Sequence, residues 1–370
     1  MGGLNEALKH IAKQYGDAVI ETGVEKDDYD RIPFSSPRLN YMTFGGLPLG
    51  HIHEFSGPEG SGKTTTIYDI MKNAQIKFKQ EAEANGSTER QIVFCDVEGT
   101  FNYVWASKFG VDTSKVIRLK MAGWKASDVL NALLEVMKST DVGLGILDSI
   151  AAMPADQLSD GSVGDKIYGG IALPLQNFCN QVKKYLVENN SMVICANQVR
   201  DNIGSMFGGT VTPGGRGFKH SCSTRLEFRK GKFIDDNNKE LTSNAENPAG
   251  NLINVVVLKS KVFPSTRRVG YYTIKYVSGP DILNDYIEVG LQLGVILQAG
   301  AFYDVVNPTT GELYTKKKLQ GKVALRDALE KNPMWLKLID DTINGKDITD
   351  LVDEDTLAQA NKQIAENKDE

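Results

Sequence analysis

A run of glycines followed by a lysine and two threonines offers the clearest chemistry in this sequence. Residues 57–65 read GPEGSGKTT and fit G-x-x-x-x-G-K-[ST], a pattern that binds nucleotide phosphates. Glycines let backbone N–H groups converge on phosphate oxygens, the lysine balances negative charge, and a hydroxyl can bind Mg²⁺. The run lies between an apolar stretch and a helical pattern, which favours a true phosphate loop over a glycine-rich turn. We therefore expect a nucleotide to contact Gly57, Pro58, Glu59, Gly60, Ser61, Gly62, Lys63, Thr64 and Thr65, with Thr64 as a Mg²⁺ ligand.

Two acidic residues follow short apolar runs of the kind that form buried strands. Asp148 ends the run VGLGILD, and Glu98 comes two residues after QIVFCD. Because parallel strands present their carboxyl ends at one edge of a sheet, both acids can lie beside the phosphate loop. There Asp148 can hold Mg²⁺, and Glu98 can orient or deprotonate the water that attacks a γ-phosphate. Asp96 is closer to its strand, and we expect it to be structural.

An amide pair and a glycine-rich segment form the third chemical group. Asn197 and Gln198 close another apolar run, where an amide can hydrogen-bond a γ-phosphate and report its presence. The segment 201–217 contains six glycines, and basic residues follow it up to position 232 with one acid among them. A mobile loop with apolar side chains and basic flanks suits single-stranded nucleic acid, although a solvated charged strand is the alternative. The candidate contacts are Arg200, Ile203, Gly204, Phe207, Gly214, Gly215, Arg216 and Arg229.

Other polar features of the sequence have structural as well as functional explanations. His51 and His53 share one face of a predicted strand, but no third ligand accompanies them, so we interpret them as sheet residues. Lys259 and Lys261 also share a face, and they are either a solvated edge or a means of reaching an anion on an adjacent molecule. The four cysteines lack paired metal or redox spacing.

The elements that must position these side chains alternate between strand and helix. Such alternation predicts an α/β fold with a mostly parallel central sheet covered on both faces. The last strands follow one another closely, which predicts an antiparallel edge. The predicted strands are 51–56, 91–96, 143–148, 191–197, 224–229, 252–259 and 271–277, and the main core helices are 64–81, 126–139 and 171–188.

Four regions follow from this pattern. Residues 1–33 form an N-terminal arm of helix and strand, whose helix packs either on its own body or on a neighbouring subunit. Residues 34–278 form the core, and residues 279–345 form a small C-terminal α/β domain with helices near 283–294, 322–330 and 333–344. Residues 346–370 form an acidic tail that we expect to be disordered.

Composition and charge exclude several classes of protein. The 370 residues are 41% hydrophobic and 24% charged, which is ordinary for a globular protein. The net charge of −5 belongs to residues 346–370, which carry eight acidic and three basic side chains, so the rest of the chain is balanced. No apolar run approaches the roughly 18 residues that cross a bilayer, and an acid and a lysine come too early for a signal peptide. We expect a cytoplasmic protein without a membrane partner.

These motifs, in this order, resemble the RecA recombinase family from the N-terminal helix to roughly Tyr303. The loop GPEGSGKTT resembles GPESSGKTT, with Gly60 where a serine is usual, and Asp96-Val97-Glu98 resembles D-A-E. Leu147-Asp148-Ser149 resembles the Mg²⁺-associated strand, and Asn197-Gln198 resembles the γ-phosphate sensor. The residues 203–208, IGSMFG, resemble the I-G-V-M-F-G of the second DNA loop. The set of motifs is more specific than any one of them.

The resemblance implies roles for residues that the spacing alone does not assign. Glu98 is the catalytic base, and Asn102 and Trp105 fall where the family has an acid and a tyrosine against the nucleotide base. Tyr168 stands in the first DNA loop, where the family has a methionine. Lys259 and Lys261 match lysines that reach ATP across a subunit boundary. The departures at Gly60, Asn102, Trp105 and Tyr168 indicate a divergent member, such as a phage-encoded one.

The resemblance further implies a DNA-dependent ATPase that forms helical filaments. ATP and Mg²⁺ would lie between subunits, single-stranded DNA would bind along the filament, and homologous double-stranded DNA would be paired and exchanged. Loader proteins and single-strand-binding proteins are candidate partners. Two alternatives are a hexameric helicase on the same core and a nucleotide-binding adaptor without turnover. Few residues precede the core to form a helicase accessory domain, and the co-occurrence of Lys63, Glu98, Asp148 and Gln198 argues against an adaptor.

Overall fold

The computed structural model describes residues 2–15, 29–156, 170–201 and 210–344. Tyr168, Ile203, Gly204, Phe207 and the acidic tail lie outside these ranges, so their predicted roles stay predictions. The described helices are α1 (Gly2–Tyr15), α2 (Pro37–Thr43), α3 (Lys63–Asn85), α4 (Tyr103–Lys108), α5 (Ala126–Met137), α6 (Ala172–Glu188), α7 (Gly215–Ser221), α8 (Ile282–Gln292), α9 (Gly321–Lys331) and α10 (Pro333–Ile343).

The strands follow the same strand-then-helix alternation. They are β1 (Arg31–Ile32), β2 (Leu47–Pro48), β3 (Ile52–Gly57), β4 (Gln91–Asp96), β5 (Val116–Lys120), β6 (Val142–Asp148), β7 (Met192–Gln198), β8 (Arg200–Asp201), β9 (Thr210–Val211), β10 (Thr224–Ile234), β11 (Gly250–Ser260), β12 (Val269–Lys275), β13 (Gly279–Pro280), β14 (Ile296–Ala299), β15 (Phe302–Val305) and β16 (Leu319–Gln320).

The central sheet confirms the predicted fold class. Within the described residues, nine strands lie in the order β13-β12-β11-β10-β3-β7-β6-β4-β5. The pairs from β10 through β3 to β5 are parallel, and those from β10 to β13 are antiparallel, as the closely spaced last strands predict. The phosphate-loop strand β3 therefore lies in the middle of the sheet, and its neighbours end at the same edge.

Helices cover both faces of this sheet. The strand β6 contributes Gly143, close to Phe78 of α3, and Gly145, close to Leu133 and Met137 of α5, which lies on the opposite face. A Cβ on Gly143 would be 2.3 Å from the Phe78 ring, so glycine permits the close approach. The core beside α5 and α6 consists mainly of aliphatic residues with Phe178, Phe218 and the four cysteines. These cysteines are buried, and burial raises their pKa, to about 12 for the Cys95 thiol.

The region after residue 280 has a hydrophobic core of its own. Helices α8, α9 and α10 enclose Ile287, Leu325, Leu329 and Ile339, and a small antiparallel sheet of β14, β15 and β16 completes it. The three predicted helices are present, whereas the sequence reading did not locate the short strands. Ser36, which caps α2, donates a hydrogen bond from its hydroxyl to the buried carboxyl of Asp285 in α8.

The N-terminal residues 1–30 form a separate unit from residues 31–370. Its described helix α1 confirms the predicted helix, and the side chains of Leu4 and Ile11, which share the apolar stripe, are exposed. Over the parts of the chain that the structure describes, we find no helix with the length and apolar character to cross a membrane.

Candidate nucleotide and DNA site

The phosphate loop joins the buried strand β3 to the long helix α3. Gly60 and Gly62 have φ angles of 67° and 93°, in the left-handed region that favours glycine. A side chain at Gly62 would also lie 2.8 Å from Ile253 of β11. These two positions bend the chain so that the first turn of α3, with its unpaired N–H groups, faces the loop.

Lys63 points back along this loop. Its ammonium donates hydrogen bonds to the carbonyl oxygens of Gly57, at 2.9 Å, and Pro58, at 2.7 Å. Burial lowers the pKa of Lys63, while the nearby carboxylates Asp148, Glu98 and Glu59 raise it. A cation is therefore held inside the loop where nucleotide phosphates would bring negative charge.

Two oxygen-bearing side chains meet beside the lysine. The Thr64 hydroxyl of α3 donates a hydrogen bond of 3.2 Å to the Asp148 carboxylate at the end of β6. Burial, together with the charge of Glu98, raises the pKa of Asp148 to about 6, against the lowering effects of Thr64 and Lys63. A hydroxyl and a carboxylate are hard oxygen donors of the kind that Mg²⁺ prefers. No cluster of three or more His, Cys, Asp or Glu side chains suited to a metal occurs among the described residues.

Glu98 is held by groups from two other strands of the sheet. Its Oε1 accepts a 3.1 Å hydrogen bond from the Gln198 side-chain amide at the end of β7. It also accepts a hydrogen bond from the Ser149 hydroxyl, directly after β6. The three residues are brought together because β7, β6 and β4 are adjacent and parallel. The sequence pointed to Glu98 and Gln198, whereas Ser149 was noted only as part of its motif.

A cavity of about 210 Å³ adjoins the phosphate loop. Trp105 of α4 lines it together with residues 60–65. Asn102 is exposed, lies outside the cavity lining and caps α4 by accepting a 2.8 Å hydrogen bond from the Trp105 N–H. The rest of the wall could not be predicted from the sequence, because no motif marks these residues of β11, of β12 and of the position directly after β12: Asn251, Ile253, Ile274 and Tyr276.

The short strands β8 and β9 pair on either side of residues 202–209, in the glycine-rich segment 201–217. Arg200 pairs with Val211 across β8 and β9, just outside residues 202–209. Gly214 and Gly215 open α7 with φ angles of 100° and 75°, and Arg216 is exposed in the first turn of that helix. The described ends of the segment therefore bring Arg200 and Arg216 to the surface beside the end of β7.

Much of the basic stretch after this segment is paired within the chain. Arg225 forms an ion pair with Glu54, whose side chain is fully buried in β3, while Arg225 itself is 15% exposed. Arg229 is 63% exposed and donates to Glu227 at 2.5 Å. The amide of Asn197 joins the same buried group by donating to Glu54, at 2.8 Å, and to the Pro213 carbonyl, at 3.0 Å. The positive charge available to a ligand is thus smaller than the sequence indicates.

Lys259 and Lys261 both bind the end of α7. Lys259 donates to the carbonyls of Lys219 and His220, at 2.6 and 3.0 Å, and Lys261 donates to that of His220 at 2.8 Å. Both lie outside the lining of the phosphate-loop cavity. His53 is buried and bonds the Pro48 carbonyl, and burial lowers its pKa to about 3, as befits a sheet residue.

Comparison with known proteins finds relatives of this chain. The family model described as the RecA N-terminal domain matches residues 3–280. Protein RecA of Mesoplasma florum is 31% identical, covering 91% of this chain and 93% of that protein. Protein RecA of a Wolbachia from Drosophila simulans is also 31% identical, covering 95% and 93%. The crystal structure of the RadB recombinase is 18% identical with a TM-score of 0.46, covering 65% of this chain and 94% of that one.

Proposed function

This chain belongs to the RecA family, and from that premise we propose that it is a DNA-dependent ATPase of homologous recombination and repair. It would form ATP-bound helical filaments on single-stranded DNA and pair that strand with homologous double-stranded DNA for exchange. The observation that carries the proposal is the contact of Glu98 with Gln198, 3.1 Å apart, at the sheet edge where Lys63, Thr64 and Asp148 also meet.

The residues present fit a nucleotide with Mg²⁺. The side-chain oxygen of Ser61 is buried without a hydrogen-bond partner, and the N-terminal turn of α3 offers N–H groups to the same space. Thr64 and Asp148 would hold Mg²⁺, which supplies charge neutralisation at the phosphates when it is bound. Lys63 would exchange its bonds to the loop carbonyls for phosphate oxygens, and Trp105 would pack against the nucleotide base.

The hydrolytic step would depend on Glu98 and Gln198. Glu98 is partly exposed, and its carboxylate can accept a proton from a water molecule that attacks the γ-phosphorus. Ser149 and Gln198 fix the direction of this carboxylate through their two hydrogen bonds. An amide carries two N–H hydrogens, so Gln198 can bond Glu98 with one and a γ-phosphate with the other.

The same corner of the fold offers a connection between ATP and DNA. Asn197, the neighbour of Gln198, is bonded to Pro213, directly before the glycine pair that opens α7. A shift of Gln198 toward a phosphate would therefore displace Pro213, near the end of the glycine-rich segment, through Asn197. Arg200, Gly214, Gly215, Arg216 and Arg229, with the predicted contacts Tyr168, Ile203, Gly204 and Phe207, would bind the DNA.

Filament formation would use two parts of the chain. Lys259 and Lys261 would reach the ATP of an adjacent subunit, and the arm of residues 1–33 would dock on that subunit. Loader and single-strand-binding proteins would act on the assembled filament.

The test compares the wild type with Glu98→Gln and with a control, Glu135→Gln, which changes an exposed acid of α5. We measure ATP hydrolysis with and without single-stranded DNA, DNA binding with a non-hydrolysable ATP analogue, and strand exchange. The wild type and the control should hydrolyse ATP only with DNA and exchange strands. Glu98→Gln should keep ATP-dependent DNA binding and lose about 10²-fold or more in turnover.

Three results would contradict the proposal. Turnover of the wild type that ignores single-stranded DNA would remove DNA dependence. Unwinding of a forked duplex without strand exchange would favour a helicase. Unchanged turnover in Glu98→Gln would remove Glu98 from its role as base.

A further inference from the structure

The turn that carries Glu98 is organised by a buried carboxylate. Asp96 is 1% exposed at the end of β4, and its Oδ1 accepts hydrogen bonds from the N–H groups of Gly99, at 2.8 Å, and Thr100, at 3.1 Å. Its Oδ2 accepts another from the Phe101 N–H at 3.2 Å. One side chain thus accepts hydrogen bonds from three consecutive N–H groups. Glu98 lies in the sequence between Asp96 and the first of these groups.

Arg118 completes this arrangement from the edge strand β5. Its guanidinium donates two hydrogen bonds to Oδ2 of Asp96, one of them 2.8 Å long from Nε. Its Cζ also lies 5.7 Å from the centroid of the Tyr103 ring, at the first residue of α4, and 5.8 Å from that of Phe101. The arginine therefore contacts the segment 96–103 at both its ends and across its middle.

Fixed planar geometry explains why an arginine suits this position. The guanidinium presents parallel donors to one carboxylate and stacks beside aromatic rings, whereas a lysine can supply only a point charge. The Arg118 side chain is 17% exposed, so water competes only partly with these bonds. Without it, Asp96 would keep a buried charge that three backbone N–H groups alone must satisfy.

We propose that Arg118 is a positioning residue for ATP hydrolysis. By clamping Asp96 and Tyr103, it holds the turn 97–101 so that the Glu98 carboxylate stays within reach of Gln198 and of the attacking water. The inference rests on the proposed function, because it acts through Glu98 as the base. Displacement of a catalytic group by about 1 Å can cost up to about 10²-fold in rate, so a clamp far from the substrate can matter.

The experiment measures kcat and KM for ATP, with single-stranded DNA present, in Arg118→Met and Arg118→Lys. The matched control is Lys115→Met, which breaks an ion pair with Glu89 that is 2.6 Å long and lies just before the same strand. We expect Arg118→Met to lower kcat about tenfold and to change KM less than about threefold, since the phosphate-loop contacts remain. Arg118→Lys should lower kcat about threefold, because it restores the charge without the two-pronged geometry.

Repeating Arg118→Met in the Glu98→Gln background distinguishes a positioning role of Arg118 from a merely structural one. If Arg118 acts through Glu98, the second substitution should leave the residual single-turnover rate within about twofold, because coupled residues are not additive. An equal tenfold loss in both backgrounds would mean general distortion and would overturn the inference. So would kcat values for both arginine variants that match the Lys115→Met control. If Arg118→Met does not fold, Arg118→Lys with its own Glu98→Gln pairing decides the question.

These outcomes are distinct from failure of the proposed function. If the wild type turns over ATP and both arginine variants match the control, only the role of Arg118 is refuted. If the wild type shows no hydrolysis at all, the proposed function fails and the inference about Arg118 fails with it.

Discussion

Replacing Arg225 with methionine tests the buried ion pair that links β10 to the phosphate-loop strand. Glu54 is fully buried and Arg225 is 15% exposed, so water can do little to replace a lost partner. Removing one member of a buried pair costs about 3–5 kcal/mol, because the remaining charge is left uncompensated. With an unfolding entropy of about 2.1 cal/mol/K per residue, a chain of this size should lose about 4–6 °C in Tm.

The assay is thermal unfolding of Arg225→Met beside two further variants. Lys232→Met, on the same strand, breaks an ion pair with Glu240. The two side chains are 65% and 52% exposed, so the change should cost no more than about 0.5 kcal/mol. In the double variant Glu54→Gln with Arg225→Met, the charge is gone but an amide oxygen can still accept from Asn197. That variant should recover at least about half of the lost Tm.

Two results would refute this reasoning. An Arg225→Met shift no larger than that of Lys232→Met would show that the buried pair contributes no more than a surface pair. A double variant less stable than Arg225→Met would show that Glu54 is satisfied without the arginine.

Three further predictions concern pH, charge and assembly. Burial raises the pKa of Asp285 to about 7, so the folded state holds its proton more tightly than the unfolded state, and stability falls as pH rises from about 4 to 7. In urea unfolding, the stability of Asp285→Asn relative to the wild type should therefore rise by up to about 1.4 kcal/mol per pH unit in that window. A difference that does not depend on pH would contradict the raised pKa. Deleting residues 346–370 should tighten binding to labelled single-stranded DNA severalfold at low salt and shift its Mg²⁺ optimum, and no change would leave the tail a solubility device. Lys261→Met should leave Tm nearly unchanged, because the hydrogen bond of Lys261 to the His220 carbonyl is exposed. Electron microscopy of this variant with DNA and an ATP analogue should show loss of filaments. Intact filaments would exclude the role of Lys261 across the subunit boundary.

The sequence was sufficient for the central strands because they are buried on both faces and read as continuous apolar runs. Every residue of β6 is buried, and β4 was located to the residue. The edge strand β5 was missed, because VIRLK is short, half-exposed and interrupted by Arg118. The strands β14 to β16 were missed for a similar reason, since each has only two to four residues.

The site was predictable where chemistry depends on neighbours in sequence. The phosphate loop is one such case. The ends of the parallel strands are far apart in sequence, but they were predictable because sheet geometry places them at one edge. Other partners far apart along the chain were not predictable: the sequence showed Arg225 only as one of the basic residues after the glycine-rich segment, and the fold shows that it pairs with Glu54. The wall of the cavity at Ile253 and Tyr276 likewise depends on the position of β11 and β12 beside the phosphate loop.

The hydrogen bonds to Glu98 also bear on when the protein becomes active during its synthesis. The bond to Ser149 spans 51 residues, and the bond to Gln198 spans 100. A nascent chain that has only just released α3 and β4 from the ribosome already has Lys63 and Glu98, but it lacks the strands that aim the carboxylate. Under the proposed function, hydrolysis would begin only after β7 has been inserted between β6 and β3. The sheet order would thus withhold ATP turnover from a nascent chain that ends before β7.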